Sequence, residues 1–198
     1  MKSLLFSLLI AIAFFGLPHP AQADAGDYAG HQFVLKVTYN PPLQWSRQEV
    51  NWHLFGKAAA FFMPQSAFTQ TFVYLGPTYK NTSFYGGLVS NWVEKDAGML
   101  GINLDFPHGP WFGNIEADVI LHKDFTDFYG WAGVDYNFEV SRTRAWVGPH
   151  IEVIEQSGRT TAQGGARLGM GVFELGTYIG DVGWNIRFQA TIPLYSAD

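Results

Sequence analysis

His150 and Glu152 stand two residues apart in the run Trp146–Val153, and in a strand that spacing puts both side chains on one face. An imidazole beside a carboxylate is the pairing that general acid–base chemistry uses. Two more pairs could share a strand face, His122 with Asp124 two residues apart and His53 with Glu49 four apart. No nucleophile accompanies them: the chain has no Gly-x-Ser-x-Gly and no strand-borne His-Ser pair. The bland alternative is that these histidines join a hydrogen-bond network or sit at an interface. No catalytic residue is therefore assigned, and His150, Glu152 and His122 are the candidates that remain. Metal binding has less support. His31, His53, His108, His122 and His150 lack zinc-type spacing, and cysteine is absent. Asp124 and Asp127 form an acidic turn that could hold calcium but ordinarily is only solvated. Gly164-Gly165, Gly169 and Gly171 have no following Lys-Ser/Thr at a helix start, so they make no phosphate cradle. They read as room for a bulky neighbour such as Trp131 or Trp146. No cofactor is expected.

The remaining chemistry-bearing residues are charges at alternate positions. Glu116, Asp118, Asp135, Glu139, Arg144, His150, Glu152, Arg167 and Arg187 all fall on the polar row of a segment whose other row is apolar. Phe128–Val140 shows the pattern most clearly. Phe128, Gly130, Ala132, Val134, Tyr136, Phe138 and Val140 form one row, against Tyr129, Trp131, Gly133, Asp135, Asn137 and Glu139. Strict alternation over that length is a β-strand with one apolar and one polar face.

The elements that carry this row follow in order. His31–Asn40 alternates, with Phe33, Leu35, Val37 and Tyr39 opposite Gln32, Lys36 and Thr38, and Pro41-Pro42 stops it. Residues 48–62 read as a strand with Trp52, Leu54, Gly56, Ala58, Ala60 and Phe62 on one face; Ala58-Ala59-Ala60 keeps a helix open as the alternative. Strands are expected at 68–80, 83–94, 99–106, 111–122, 128–140, 141–156, 164–176 and 184–195. Ser157–Gln163 reads as a polar turn and Thr177–Gly183 as a link. That makes ten strands, or eight if the first two segments stay outside the sheet. Leu75-Gly76-Pro77 and Val147-Gly148-Pro149 echo each other, and mid-strand Gly-Pro suggests a bulge at each.

Composition narrows the class. Charged residues are 15%, aromatics 17%, against about 25% charged in an average soluble domain. Net charge is −5 with no basic stripe, which excludes nucleic acid as a partner. Lys2, the uncharged run Leu4–Leu17 and Ala21-Gln22-Ala23 read as a secretory signal peptide over 1–23, with a single domain over 24–198. An exported chain without disulfides must be held by its core or by a closed sheet.

The export signal, the dyad-repeat strands over 99–156 and the final alternating strand over 184–195 resemble the small outer-membrane β-barrels of Gram-negative bacteria. The resemblance is one of architecture and identifies no family within it. It implies an antiparallel up-and-down transmembrane barrel with an even strand number and both termini on the periplasmic side. Partners would be outer-membrane lipid and lipopolysaccharide. The function expected is a structural, surface or narrow-channel (porin-like) one without catalysis. Two alternatives remain: an exported, periplasmic lipocalin-like barrel with an apolar cavity, and an outer-membrane enzyme that modifies envelope lipids. In the membrane reading the charged row lines the lumen; in the soluble reading it faces water.

Overall fold

Alternation becomes eleven strands in the computed structural model. The residues described are 30–39, 52–63, 68–91, 97–156, 158–181 and 183–194; the segment 1–23 read as a signal peptide, Pro41-Pro42 and Glu49 lie outside them. The strands are β1 (Gly30–Tyr39), β2 (Trp52–Met63), β3 (Phe68–Tyr79), β4 (Thr82–Asn91), β5 (Ala97–His108), β6 (Trp111–Leu121), β7 (Thr126–Val140), β8 (Thr143–Gln156), β9 (Arg159–Met170), β10 (Phe173–Gly180) and β11 (Gly183–Pro193). Each pairs antiparallel with its neighbour in the chain, and β1 closes the barrel on β11. The ambiguous second segment is a strand, β2.

Two expectations about topology are corrected. The segment read as one strand over 164–176 is a hairpin: β9 and β10 meet at Gly171-Val172, where Gly171 has φ +63°. That left-handed φ reverses the chain at no steric cost to glycine. The supposed turn Ser157–Gln163 largely belongs to β9, and the link Thr177–Gly183 largely to β10. The count is thus eleven rather than ten. An odd meander can close only through a parallel pair, and β1 and β11 are parallel, from Gly30↔Asn185 to Thr38↔Pro193. β1 therefore starts at one rim and β11 ends at the other, whereas the even-stranded meander expected would put that start and that end at one rim. We call the rim where β1 starts the leading rim and the opposite one the trailing rim.

Four tight hairpins lie on the trailing rim, at 80–81, 109–110, 141–142 and 171–172. At Ser141-Arg142 both residues have positive φ, 49° and 67°. This is the I′ handedness that matches strand twist.

The Gly-Pro pairs form no bulges. Pairing passes from Leu75↔Gly86 to Thr78↔Ser83 and from Gly133↔His150 to Tyr136↔Val147 with no extra residue on either side. Instead the strands close in. A Cβ on Gly76 would lie 1.9 Å from the Phe84 carbonyl oxygen, and one on Gly148 would lie 1.8 Å from that of Val134. Glycine at these inward positions lets the sheet curve sharply, as closure of a barrel requires.

Burial separates the two faces. The outward row is apolar and exposed at Phe33, Leu35, Leu75, Phe84, Leu88, Leu100, Ile115, Val134, Val147, Ile151, Leu168 and Ile179. The inward row holds Gln32, Asp118, Asp135, His150, Glu152, Gln163, Asn185 and Arg187, all buried. By alternation from these positions, Glu155 near the leading rim is the one Asp, Glu, Lys or Arg on the outward row of the described strands. A small apolar cluster of Val89, Ala97, Met99 and Ile120 with Tyr74 and Tyr85 fills the β3–β6 side of the interior.

Candidate functional site: the charged lumen

The lumen is where the polar row converges. Of the residues expected there, Glu116, Asp118, Asp135, His150, Glu152, Arg167 and Arg187 lie inside. Glu139 and Arg144 do not. They oppose each other near the Ser141-Arg142 turn, where the β7–β8 hairpin extends past the rim, and both are exposed. Arg144 donates to Asn137 Oδ1 from Nε (2.9 Å) and Nη2 (2.7 Å) instead of joining the network.

On the β7–β11 side two arginines organise everything. Arg187 on β11 donates to Glu152 Oε1 (3.2 Å) and Oε2 (3.1 Å) on β8, to Tyr178 Oη (2.8 Å) and to Gln32 Oε1 (2.9 Å). Its guanidinium also lies 4.2 Å from the Tyr178 ring centre. Glu152 accepts in addition from Tyr129 Oη (2.9 Å) and Gln163 Nε2. Gln163 in turn accepts from Asn185 (2.9 Å). Arg167 holds Asp135 through Nε (2.9 Å) and Nη2 (2.5 Å), approaches Glu174 at 3.6 Å and covers Trp131 at 4.3 Å. A planar fork meeting a carboxylate in two bonds fixes geometry as well as charge.

The β1–β6 side is built around lysine and tyrosine. Lys57 on β2 reaches Glu116 on β6 at 2.9 and 3.2 Å, a contact that crosses the lumen. Tyr74 also donates to Glu116 (2.9 Å), and Tyr85 donates to Asp118 (2.6 Å). The two phenol rings stack at 4.4 Å between centres. Toward the trailing rim, Asn114 bridges Asn103 (2.9 Å) and Asp105 (2.6 Å).

Between these two systems and the leading rim is a cavity of about 110 Å³. Phe61, Phe72, Val89 and Ile120 are among its apolar lining, and Gln32, Lys36, Lys57, Glu116, Glu152 and Arg187 among its polar lining.

The acid–base pairs expected from spacing do not form. His150 and Glu152 share a face but do not bond. The His150 ring lies between Trp131 (6.3 Å) and Tyr178 (4.1 Å), and neither ring nitrogen bonds a side chain. His122 pairs with Asp127 (Nε2 to Oδ2, 3.0 Å) rather than with Asp124, and stacks on Phe125. His53 is partly buried, and its Nδ1 is without a partner. Among the described residues no hydroxyl of serine or threonine bonds His122 or His150, and no group of His, Asp and Glu is arranged to hold a metal. The tryptophan-accommodating glycines are in part those expected. Gly169 lies under Trp146, where a Cβ would come within 2.0 Å of the ring; Trp131 is matched by Gly133 on its own strand, at 2.5 Å.

Lys36, Lys57, Tyr74, Tyr85 and Glu174 were not anticipated as lumen groups. The signal for the lysines was present, since Lys36 shares the row of Gln32 and Lys57 that of His53. From sequence, Tyr74 and Tyr85 are assigned to neither face.

No family model, curated protein or solved structure matches this chain.

Proposed function

We propose that this chain is a transmembrane barrel of the outer membrane, of structural or surface type, whose lumen is closed by paired side chains and performs no catalysis. One observation carries the reading: the outward row is largely apolar, with Glu155 as its one Asp, Glu, Lys or Arg among the described strands, and amphipathic aromatics gather toward its rims. Tyr39, Trp52, Tyr79, Trp111 and Tyr136 are exposed toward the trailing rim, and Trp184 toward the leading one. Trp52 packs on Tyr79 at 4.9 Å and Trp111 on Tyr136 at 5.1 Å. Tryptophan and tyrosine favour the boundary between hydrocarbon and water. On β2 the band runs from Trp52 to Phe62; at about 3.3 Å per residue and a tilt of about 40° it stands about 25 Å tall, the height of a transmembrane barrel's apolar belt. The polar interior is the opposite of what an apolar ligand needs, which weighs against the lipocalin-like alternative.

Fractionation tests the reading. The protein is expected in the detergent-extractable outer-membrane fraction, with a band that shifts on boiling before electrophoresis. Recovery in the soluble periplasmic fraction overturns it. In planar bilayers the purified barrel is expected to pass no steady current, because Lys57–Glu116 and Tyr74–Glu116 cross the lumen; a stable open level replaces the closed reading with a channel.

A further inference from the structure

Every carboxylate on the inward row of the lumen cavity already has a donor. Glu116 has Lys57 and Tyr74, Glu152 has Arg187, Tyr129 and Gln163, Asp118 has Tyr85, and Asp127 has His122. Arg187 and Lys57 are spent on those acids. Lys36 is different. It lines the same cavity, on the inward row of β1 opposite Ala59 of β2, and among the described residues it makes neither a hydrogen bond nor an ion pair. An ammonium is three donors with no acceptor of its own; Glu116, already bonded to Lys57 and Tyr74, is near enough to attract Lys36 but accepts no hydrogen bond from it.

The surroundings define what would satisfy it. On β1 and β2, Lys36 and Lys57 are the lining residues farthest from the leading rim, so the free ammonium sits at the deep end. Ala59 beside it leaves the space open. Phe61, Phe72, Val89 and Ile120 form an apolar wall between it and the rim. The charged point thus has an apolar wall on one side, within a lining that is otherwise largely polar. The geometry points to a binding site for a small organic monocarboxylate, its carboxylate on Lys36 and its apolar body against Phe61 and Phe72. The volume, about 110 Å³, admits a single ring or a short chain and excludes a long acyl tail. Only one cation is uncommitted, so a monoanion fits better than phosphate. A bare halide would leave the apolar wall unused, and a cation deep in the cavity would meet inward carboxylates that are already occupied, Glu155 lying near the leading rim. The site depends on the lumen alone and not on membrane residence.

The test is titration of the purified, full-length folded barrel in detergent micelles, followed by calorimetry and by methyl and aromatic NMR shifts. Benzoate and butyrate are expected to bind saturably and to shift Ile120, Phe61 and Phe72. Benzylamine and phosphate should bind at least tenfold more weakly, and chloride should not compete with benzoate at equal concentration. Lys36→Met and Lys36→Gln, each confirmed as folded by its boiling-dependent gel shift, are expected to weaken benzoate at least tenfold. Absence of saturable benzoate binding to the wild-type barrel, equal binding of benzylamine, or competition by chloride overturns the proposal without any variant. A folded Lys36 variant that keeps its affinity overturns it as well. Because the gel shift is read on the same samples, loss of the barrel and loss of the pocket are told apart.

Discussion

The two sides of this lumen solve one problem with different chemistry. On the β7–β11 side, arginines face carboxylates: Arg187 and Arg167 each serve several acceptors and lie over an aromatic ring. On the β1–β6 side, lysines do the same work with fewer bonds. Lys57 bonds one acid, and Lys36 bonds none among the described residues and lies only within electrostatic reach of Glu116. A guanidinium offers five donors in a fixed plane, so one side chain can close a network across three strands; an ammonium is a point charge on a flexible stem. The arginine side is accordingly closed by redundant bonds. The cavity opens where the lysines are.

The strongest way to break the comparison is to remove Arg187. Glu152 is 1% exposed, and Arg187→Met would leave a buried carboxylate with only Tyr129 and Gln163 as donors. Breaking a buried pair from one end costs about 3–5 kcal/mol. The variant is expected to unfold at markedly lower denaturant in micelles. Adding Glu152→Gln should recover a large part of that loss, since the stranded charge goes with it. If the double variant is as unstable as the sum of the two single ones, Arg187 and Glu152 are not acting as a pair.

Lys57→Met probes the other side. Glu116 keeps the Tyr74 donor at 2.9 Å after the lysine is gone, and the cavity beside it can admit water. A loss of about 1–3 kcal/mol, clearly below that of Arg187→Met, is expected in the same denaturation experiment. An equal or larger loss would mean that the lysine side is as tightly closed as the arginine side.

How much of this was readable beforehand differs by level. The face that each residue takes followed from alternation, because a strand has period two. Glu116, Asp118, Asp135, His150, Glu152, Arg167 and Arg187 could be placed on a shared polar row before any pairing was known. Their partners could not. Arg187 and Gln32 are 155 positions apart and meet only because β1 closes on β11, and register across strands is set by closure rather than by local pattern. The β9–β10 hairpin was missed for a local reason. Gly169-Met170-Gly171-Val172-Phe173 carries no Asn, Asp or Pro at the turn and is apolar through it, so it reads as one continuing strand. Missing that turn also hid the odd count, the parallel seam and the placement of β1's start and β11's end at opposite rims. Glu139 and Arg144 had the right parity but sit too far along their strands to reach the lumen, because β7 and β8 outrun their neighbours.

The finest test replaces single phenols. Tyr74 and Tyr129 each donate one 2.9 Å bond to a lumen glutamate, Glu116 and Glu152 respectively. Local geometry alone predicts equal losses for Tyr74→Phe and Tyr129→Phe. Redundancy predicts otherwise. Glu152 keeps both guanidinium bonds and Gln163 when Tyr129 loses its hydroxyl. Glu116 falls back mainly on Lys57, since Tyr85 lies at 3.5 Å and already donates to Asp118 at 2.6 Å. Tyr74→Phe is therefore expected to cost about 1.5 kcal/mol and Tyr129→Phe about 0.5 kcal/mol, the upper and lower parts of the range for one buried hydrogen bond. Paired denaturation curves decide it. Equal shifts would mean that the count of spare donors does not govern how either side tolerates damage, and the contrast between arginine and lysine would then reduce to shape.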